Sequence, residues 1–526
     1  MPLIMGIVLA GGIFIGAYIS RINHHSFIKA SRVSQFNKLN EVVRYIETEY
    51  VDTISEQNLV ETSINAMLKT LDPHSAYIPA EDLQAANEPL EGNFEGIGIE
   101  YHIQKDSLLV VSAVAEGPSE IAGLKAGDRI VKVEGKSIVG ITGNDVVQKL
   151  RGPDGSEVKV SVYRRGHKGV IDYTIKRGKI PIYSIDAAYM IDDTAGYIKI
   201  SRFGSNTTKE FREAMKKLHL QGMQRVIVDL RDNPGGYLNA ATQIADEFLK
   251  AKQLIVYTQG KARPKEEYFS TTKGDFEKDQ VIVLINEGSA SASEILAGAL
   301  QDLDRGVLVG RRSFGKGLVQ EQTMFPDGSA LRLTIARYYT PSGRCIQKSY
   351  VNGEEEYEND IIERYRRGEL ENADSIKFPD SLKYKTKGGR TVYGGGGIMP
   401  DIFVPLDTSM NSKYLSHVQS KGLINQFTYD YVDENRKMFN NYKELSVFVK
   451  TFDVTDALLE RFIKYAEKQG IKASPKDLKA SAKFIKTNLK ALMARQLWKN
   501  EGYYYIMNQL DAAYNKAYQT RALFAQ

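Results

Sequence analysis

The stretch from Asn286 to Gln320, NEGSASASEILAGALQDLDRGVLVGRRSFGKGLVQ, holds the residue types that could do covalent chemistry. Three serines, Ser289, Ser291 and Ser293, precede an apolar run with helical spacing, and the strand-like Val281–Ile285 leads into them. Strand, small-residue turn and helix would set a hydroxyl at a helix N-terminus, where unpaired N–H groups stabilise developing negative charge. Any of the three serines fits; those not used would act as helix N-caps. The candidate base is Lys316, flanked by Gly315 and Gly317 and 25 residues after Ser291 (316 − 291). A lysine takes a proton near neutral pH only if burial lowers its pKa by about three units from about 10.4. The neighbouring apolar segments Val307–Val309 and Leu318–Val319 are compatible with burial, and Gln320, four residues on, could orient the amine. Two other readings compete, an exposed lysine in a turn and a phosphate loop. Gly310–Lys316 matches GxxxxGK after a strand. However, Gly317 stands where Ser or Thr must hold Mg²⁺, and LVQEQTMF reads as a strand where a helix is required.

The elements that must position these groups read as an α/β unit. Gly196–Ile200 and Val226–Leu230 are buried strands separated by the amphipathic helix Lys209–Leu220. The second strand runs into DLRDNPGGYL, a forced turn at the carboxyl end of a strand, the edge where ligands collect in such sheets. Gly235 and Gly236 permit close backbone approach there, and their N–H groups could face an oxyanion. Upstream, Asp72 and His74 in LDPHSAYIP suggest a triad partner or, more simply, a turn capped by polar side chains. Ser349–Lys387 is rich in Glu, Lys, Arg and Asp and reads as a mobile or peripheral excursion. Residues Asp407–Gln526 are rich in Lys and Tyr with helical periodicity, a separate helical domain without an assignable motif.

Bulk properties exclude several classes. A chain of 526 residues predicts three or four domains. A net charge of +5 at this length makes no case for nucleic-acid binding. The single cysteine, Cys345, rules out an intrachain disulfide and a cysteine zinc site, and the seven histidines show no metal spacing, so no metal and no cofactor is expected. Leu3–Ile19 is an uncharged apolar run, about 25 Å long as a helix, that reads as a signal core or short membrane anchor. Basic residues follow the run instead of preceding it, which complicates export, and no clean cleavage site is visible; either the start is truncated or the segment is an uncleaved anchor. The anchor is favoured, with the remainder outside the cytoplasm, in the periplasm.

Residues Phe94–Gly166 combine strands with short helices and resemble a PDZ domain. GIGIEY matches its carboxylate-binding loop and SEIAGLKAGDRIVKVEG its core. Backbone N–H groups of Gly96, Ile97 and Gly98 would bind a chain-terminal carboxylate. The strand from Ile99 would pair with the peptide, and Arg151 could add positive charge. The order PDZ, DLRDNPGG, NEGSASASEILAGALQD, GRRSFGKGLVQ and GGIMPDIFVP resembles the C-terminal processing (tail-specific) serine peptidases from about Gln35 to Pro405. The resemblance implies that Ser291 is the nucleophile, Lys316 the base and Gln320 the third member. The oxyanion donors would be the N–H of Ala292 and of Gly235 or Gly236, and His74 would be structural. It implies a multidomain α/β and α+β chain, with a PDZ domain inserted before a ClpP/crotonase-like peptidase core. The expected division is an anchor over 1–20, a helical region over 34–85, PDZ over 90–178, peptidase core over 180–408 with the charged insert 349–387, and a helical domain over 409–526. The long C-terminal region is like that of Bacteroidetes members, where it would serve oligomerisation or docking of an adaptor. The expected partners are protein substrates with apolar C-termini and a membrane through residues 3–19. The rival reading is a non-catalytic PDZ scaffold or chaperone that binds C-termini without cleaving them.

Overall fold

A computed structural model describes residues 35–104, 107–114, 116–140, 143–272 and 274–520; the apolar run 3–19 lies outside them. Among the described residues no helix is long and apolar enough to cross a membrane. The chain divides at Leu71 into two units. The first contains the helices Gln35–Glu49 and Glu56–Lys69, the second of which is capped where Ser55 accepts the Asn58 N–H.

The second unit is built on a six-stranded sheet. Ile185–Met190 runs antiparallel to Ala195–Ile200, and then Arg225–Asp229, Gln280–Ile285, Gly306–Gly310 and Ile402–Phe403 follow in parallel. The parallel strands are buried almost without interruption, as expected when both faces are covered. Helices Thr207–Leu220, Leu238–Phe248 and Ala292–Asp302 cover one face, packing Phe211, Met215, Ile244, Phe248, Leu296 and Leu300 onto Val226, Val228, Val283 and Leu308. Each fully buried side chain of this kind contributes roughly 1.5–3 kcal/mol relative to exposure. Tyr197, Ile227, Ile282 and Val309 on the opposite face pack with Ala513, Tyr514 and Ala517 from the far C-terminus.

A second sheet lies beside the first and contains Ala76–Ile78, Ala330–Tyr339, Leu254–Gln259 and Glu266–Phe269, with Leu318–Met324 paired to Ala330–Tyr339. Its register shifts between Val319 and Gln320, a bulge that re-aims the side chains on either side.

Residues 93–181 form a separate small layer. Asn93–Gly96 pairs antiparallel with Gly178–Pro181, tying together the two ends of the excursion. Between them lies a six-stranded sheet in the order Ile99–Gln104, Ser107–Ala113, Arg129–Val133, Glu157–Tyr163 and Val170–Lys176, with Lys136–Ser137 also paired to Arg129–Val133, and the helix Gly143–Leu150. Ile99–Gln104 is an edge strand. The C-terminal helices enclose their own core of Phe427, Phe439, Phe448, Phe462, Ile485 and Leu489.

Candidate active site

Register brings the carboxyl ends of two neighbouring strands level, Asp229 opposite Leu284, and the turns that follow them meet. Asn233 fastens the first turn: its Nδ2 donates to the Ile200 carbonyl at 2.9 Å and its own carbonyl accepts the Ala290 N–H at 3.0 Å. Ser289 and Ser293 are fully buried and their hydroxyls are consumed in the same fastening. Ser289 Oγ donates to Leu230 O at 2.8 Å and Ser293 Oγ to Asn233 O at 3.0 Å. Ser291 alone of the three lines an open cleft of about 490 Å³, together with Gly235, Gly236, Lys316, Gln320 and Tyr338.

Ser291 sits at the start of the helix Ala292–Asp302 with φ 55° and ψ −115°, a region that a side chain rarely adopts. Such a residue costs of order 1–3 kcal/mol and persists only where its surroundings over-determine it. Here Glu294, three residues on, accepts the Ser291 N–H at 2.9 Å. Gly235 lies directly against the turn. A Cβ there, at φ +99°, would come within 2.7 Å of both Ala290 O and Ser291 Cβ.

The N–H of Ala292 and that of Gly236 have no hydrogen-bond acceptor among the described residues; Ala292 follows Ser291 in the chain, and Gly236 lines the same cleft as Ser291. Gly235 differs, because its N–H donates to Asn233 Oδ1 at 2.9 Å. Of the two glycines expected from the sequence, only Gly236 keeps a free donor.

Lys316 is half-buried, and its Nζ donates to Gln320 Oε1 at 3.2 Å. Gln320 Nε2 in turn donates to the His74 carbonyl at 2.5 Å, which fixes which end of the amide faces the amine. Burial holds the Lys316 amine below the usual lysine range, the nearby Arg332 guanidinium adds to this, and Asp72 and Glu294 oppose it. Every backbone N–H and C=O from Ser313 to Gly317 has a partner, which makes this a rigid loop. His74 serves through its carbonyl and its ring, while Asp72 caps the turn by accepting the N–H groups of His74 and Ser75 at 2.8 and 3.0 Å.

Two residues with no expected role hold the site together. Glu294 is 1% exposed and its four acceptor positions are filled: Oε1 by Ser313 Oγ and Gly315 N, Oε2 by Lys316 N and Ser291 N. Tyr338, also 1% exposed, donates to the Lys316 carbonyl at 2.7 Å and approaches that of Ser291 at 3.1 Å. The sequence does hold a signal for Glu294, since Ser291-Ala292-Ser293-Glu294 is a capping-box pattern. None marks Tyr338, which arrives from a distant strand.

Two expectations need correction. The charged insert does not stand apart: its helix Glu354–Arg366 buries Tyr357 and Arg364, because Arg364 donates to the carbonyls of Ser313 and Phe314 at 2.7 and 2.9 Å. Arg151 is not a free cation for a peptide carboxylate. It pairs with Glu88 at 2.5 Å and lies 5.0 Å from the Phe94 ring centroid. Glu88 belongs to the helix Ala80–Glu91, whose Ala86, Asn87 and Leu90 line the cleft. In the small layer, Gly96 is taken into strand pairing with Gly178 and the Ile97 side chain fills the local core. Gly98 turns at φ +70° ahead of the edge strand that begins at Ile99.

Residues 194–357 match the model of peptidase family S41, 109–164 that of a PDZ domain and 15–82 the N-terminal domain of the activating protease CtpB. Residues 414–499 match a family of unknown function. The chain is 35% identical to a carboxy-terminal-processing protease of Bartonella bacilliformis over 368 residues, 69% of this chain and 83% of that protein. It is also 35% identical to the carboxy-terminal processing protease CtpB of Bacillus subtilis, over 61% of this chain and 68% of that one. Among solved structures, the photosystem II D1 C-terminal processing protease aligns over 70% of this chain and 87% of its own, at 26% identity and a TM-score of 0.37. The chain belongs to peptidase family S41 and carries a PDZ domain within it.

Proposed function

We propose that the chain is a serine endopeptidase working through Ser291 and Lys316, and that it processes or degrades exported proteins selected by their C-termini. The observation that carries the catalytic part is the shared cleft. Ser291 stands on a strained turn in it, and the half-buried Lys316 donates its amine there to Gln320.

In this mechanism Ser291 Oγ attacks the scissile carbonyl carbon and passes its proton to neutral Lys316 Nζ. The resulting oxyanion is stabilised by the N–H groups of Ala292 and Gly236. Lys316 returns the proton to the leaving amine, and water then resolves the acyl-enzyme by the same route. Gln320 orients the amine. No metal or cofactor takes part.

The PDZ domain selects substrates with apolar C-termini. The N–H groups of Ile97 and Gly98, without acceptors among the described residues, bind the terminal carboxylate, and the edge strand Ile99–Gln104 pairs with the peptide. Residues 3–19 anchor the chain to the inner membrane, with the domains in the periplasm. The C-terminal helical domain supplies contacts to a second copy or an adaptor.

The test is digestion of denatured β-casein by the parent, Ser291→Ala and Lys316→Ala. Both variants are expected to lose cleavage and keep binding to an immobilised peptide with an apolar C-terminus. Cleavage at the parent rate by either would refute the dyad. Peptide binding without cleavage by the parent itself would favour a non-catalytic scaffold.

A further inference from the structure

We propose that the helix Glu354–Arg366 of the charged insert is part of the catalytic apparatus, with Tyr357 and Arg364 as positioning residues that hold Lys316 in reach of Ser291. The proposal rests on the Ser291–Lys316 reading above.

A surface helix so rich in charge has no reason to bury a tyrosine and an arginine unless they meet partners. Tyr357 is 3% exposed and Arg364 1%. Two paths lead from them to the lysine. On the first, Tyr357 Oη lies 2.8 Å from His74 Nε2; the His74 carbonyl accepts Gln320 Nε2; and Gln320 Oε1 accepts the Lys316 amine. On the second, the Arg364 fork binds the two successive carbonyls of Ser313 and Phe314, and its charge is matched by Asp360 at 2.9 Å. A planar fork bridging two carbonyls fixes the peptide plane between them, which one ammonium cannot do.

The space between the paths is filled as well. Lys348 Nζ sits 3.9 Å from the Phe314 ring centroid and 4.0 Å from that of Tyr357, while donating to Tyr357 O at 2.9 Å and Asp360 Oδ2 at 3.0 Å. The Tyr357 ring meets Phe314 edge-on at 5.8 Å. The helix thus braces the lysine loop through Ser313 and Phe314. The match to the peptidase family model ends at Tyr357, so Asp360 and Arg364 lie beyond it.

The experiment uses the full chain with fluorescein-labelled β-casein. It compares the parent, Tyr357→Phe, Arg364→Lys, Ser291→Ala and Lys316→Ala for kcat, KM, Tm and the pH dependence of kcat. The groups facing Lys316 are Asp72, His74, Glu294 and Arg332; neither insert substitution replaces any of them, while Tyr357→Phe removes the hydroxyl that meets His74 Nε2. Tyr357→Phe keeps the ring and deletes only the hydroxyl. It is expected to lower kcat about tenfold with KM within about twofold, since small misplacements of catalytic groups cost rate before binding. A loosened loop lets water reach the amine, so the acidic limb of kcat is expected at higher pH in both variants. Parent-like kcat and limb in both, or a lower Tm with an unmoved limb, overturns the proposal by reducing the helix to a structural prop. If Arg364→Lys does not fold, Tyr357→Phe decides alone. Retained activity in Ser291→Ala or Lys316→Ala refutes the dyad itself, an outcome distinct from either result for the helix.

Discussion

Glu294 accepts the backbone N–H of Lys316 at 2.9 Å. The helix that begins beside Ser291 therefore holds the loop that carries the lysine, and serine and lysine are fixed through one buried carboxylate. Glu294→Gln offers one acceptor oxygen where the carboxylate has two and turns an amide N–H₂ against two donors. Each buried donor left unsatisfied costs about 1–3 kcal/mol. The expected outcome is a lower Tm and at least a tenfold loss of kcat, read by thermal unfolding and casein hydrolysis.

The proposed role of Lys316 as the base sets a pH dependence with a definite sign. The amine is active when neutral, and burial with Arg332 keeps its pKa below the usual range, so activity rises with pH through that lowered value. Arg332→Gln removes a repelling positive charge. The pKa then rises, and the acidic limb of kcat/KM is expected at higher pH than in the parent.

The same burial bears on stability. Lys316 and His74 both have folded pKa values below their unfolded ones, His74 falling to about 4 through burial and the Lys316 charge. The unfolded chain therefore binds more protons between each pair of values, and stability rises with pH across each window. Two results are expected from denaturant titrations. Lys316→Met is more stable than the parent at pH 7. The parent loses stability between pH 6.5 and about 4, and His74→Asn flattens that loss.

Gly235 and Gly236 are expected to fail differently when changed to alanine. The Cβ of Gly235→Ala would press on Ser291 Cβ and Ala290 O at 2.7 Å, displacing Ser291. Loss of kcat by more than about a hundredfold in a chain that still folds is expected. The Cβ of Gly236→Ala would lie 2.1 Å from Phe203 O, inside the strand-like bridge between those residues. Circular dichroism and yield of soluble protein separate the two, with folding lost only in Gly236→Ala.

The C-terminus is expected to be inseparable from the peptidase sheet, because Ala513, Tyr514 and Ala517 cover one of its faces. Tyr514→Ala should cost about 3–5 kcal/mol, as truncation of a buried aromatic side chain does. A chain ending at residue 408 should expose Tyr197, Ile227, Ile282 and Val309 and precipitate on expression.

The sequence by itself determined the elements and the chemistry they could carry. Strand runs, the NPGG turn, the small-residue approach to Ser291 and the glycine-flanked Lys316 are local patterns, set by backbone freedom and hydrophobic period. Which of three serines is available was settled only by the tertiary structure, because the hydroxyls of Ser289 and Ser293 are used by Leu230 and Asn233, some 60 residues away in sequence. The choice between Gly235 and Gly236 as free N–H donor depended likewise on the Asn233 side chain. Composition made the insert look peripheral, since a run of charges reads as solvated surface. Tyr357 and Arg364 are buried because their partners, His74 and the Ser313 and Phe314 carbonyls, come from remote parts of the chain. Burial of Lys316 has the same origin: Asp72, Glu294 and Arg332, which face it, come from parts of the chain that no window of sequence brings together.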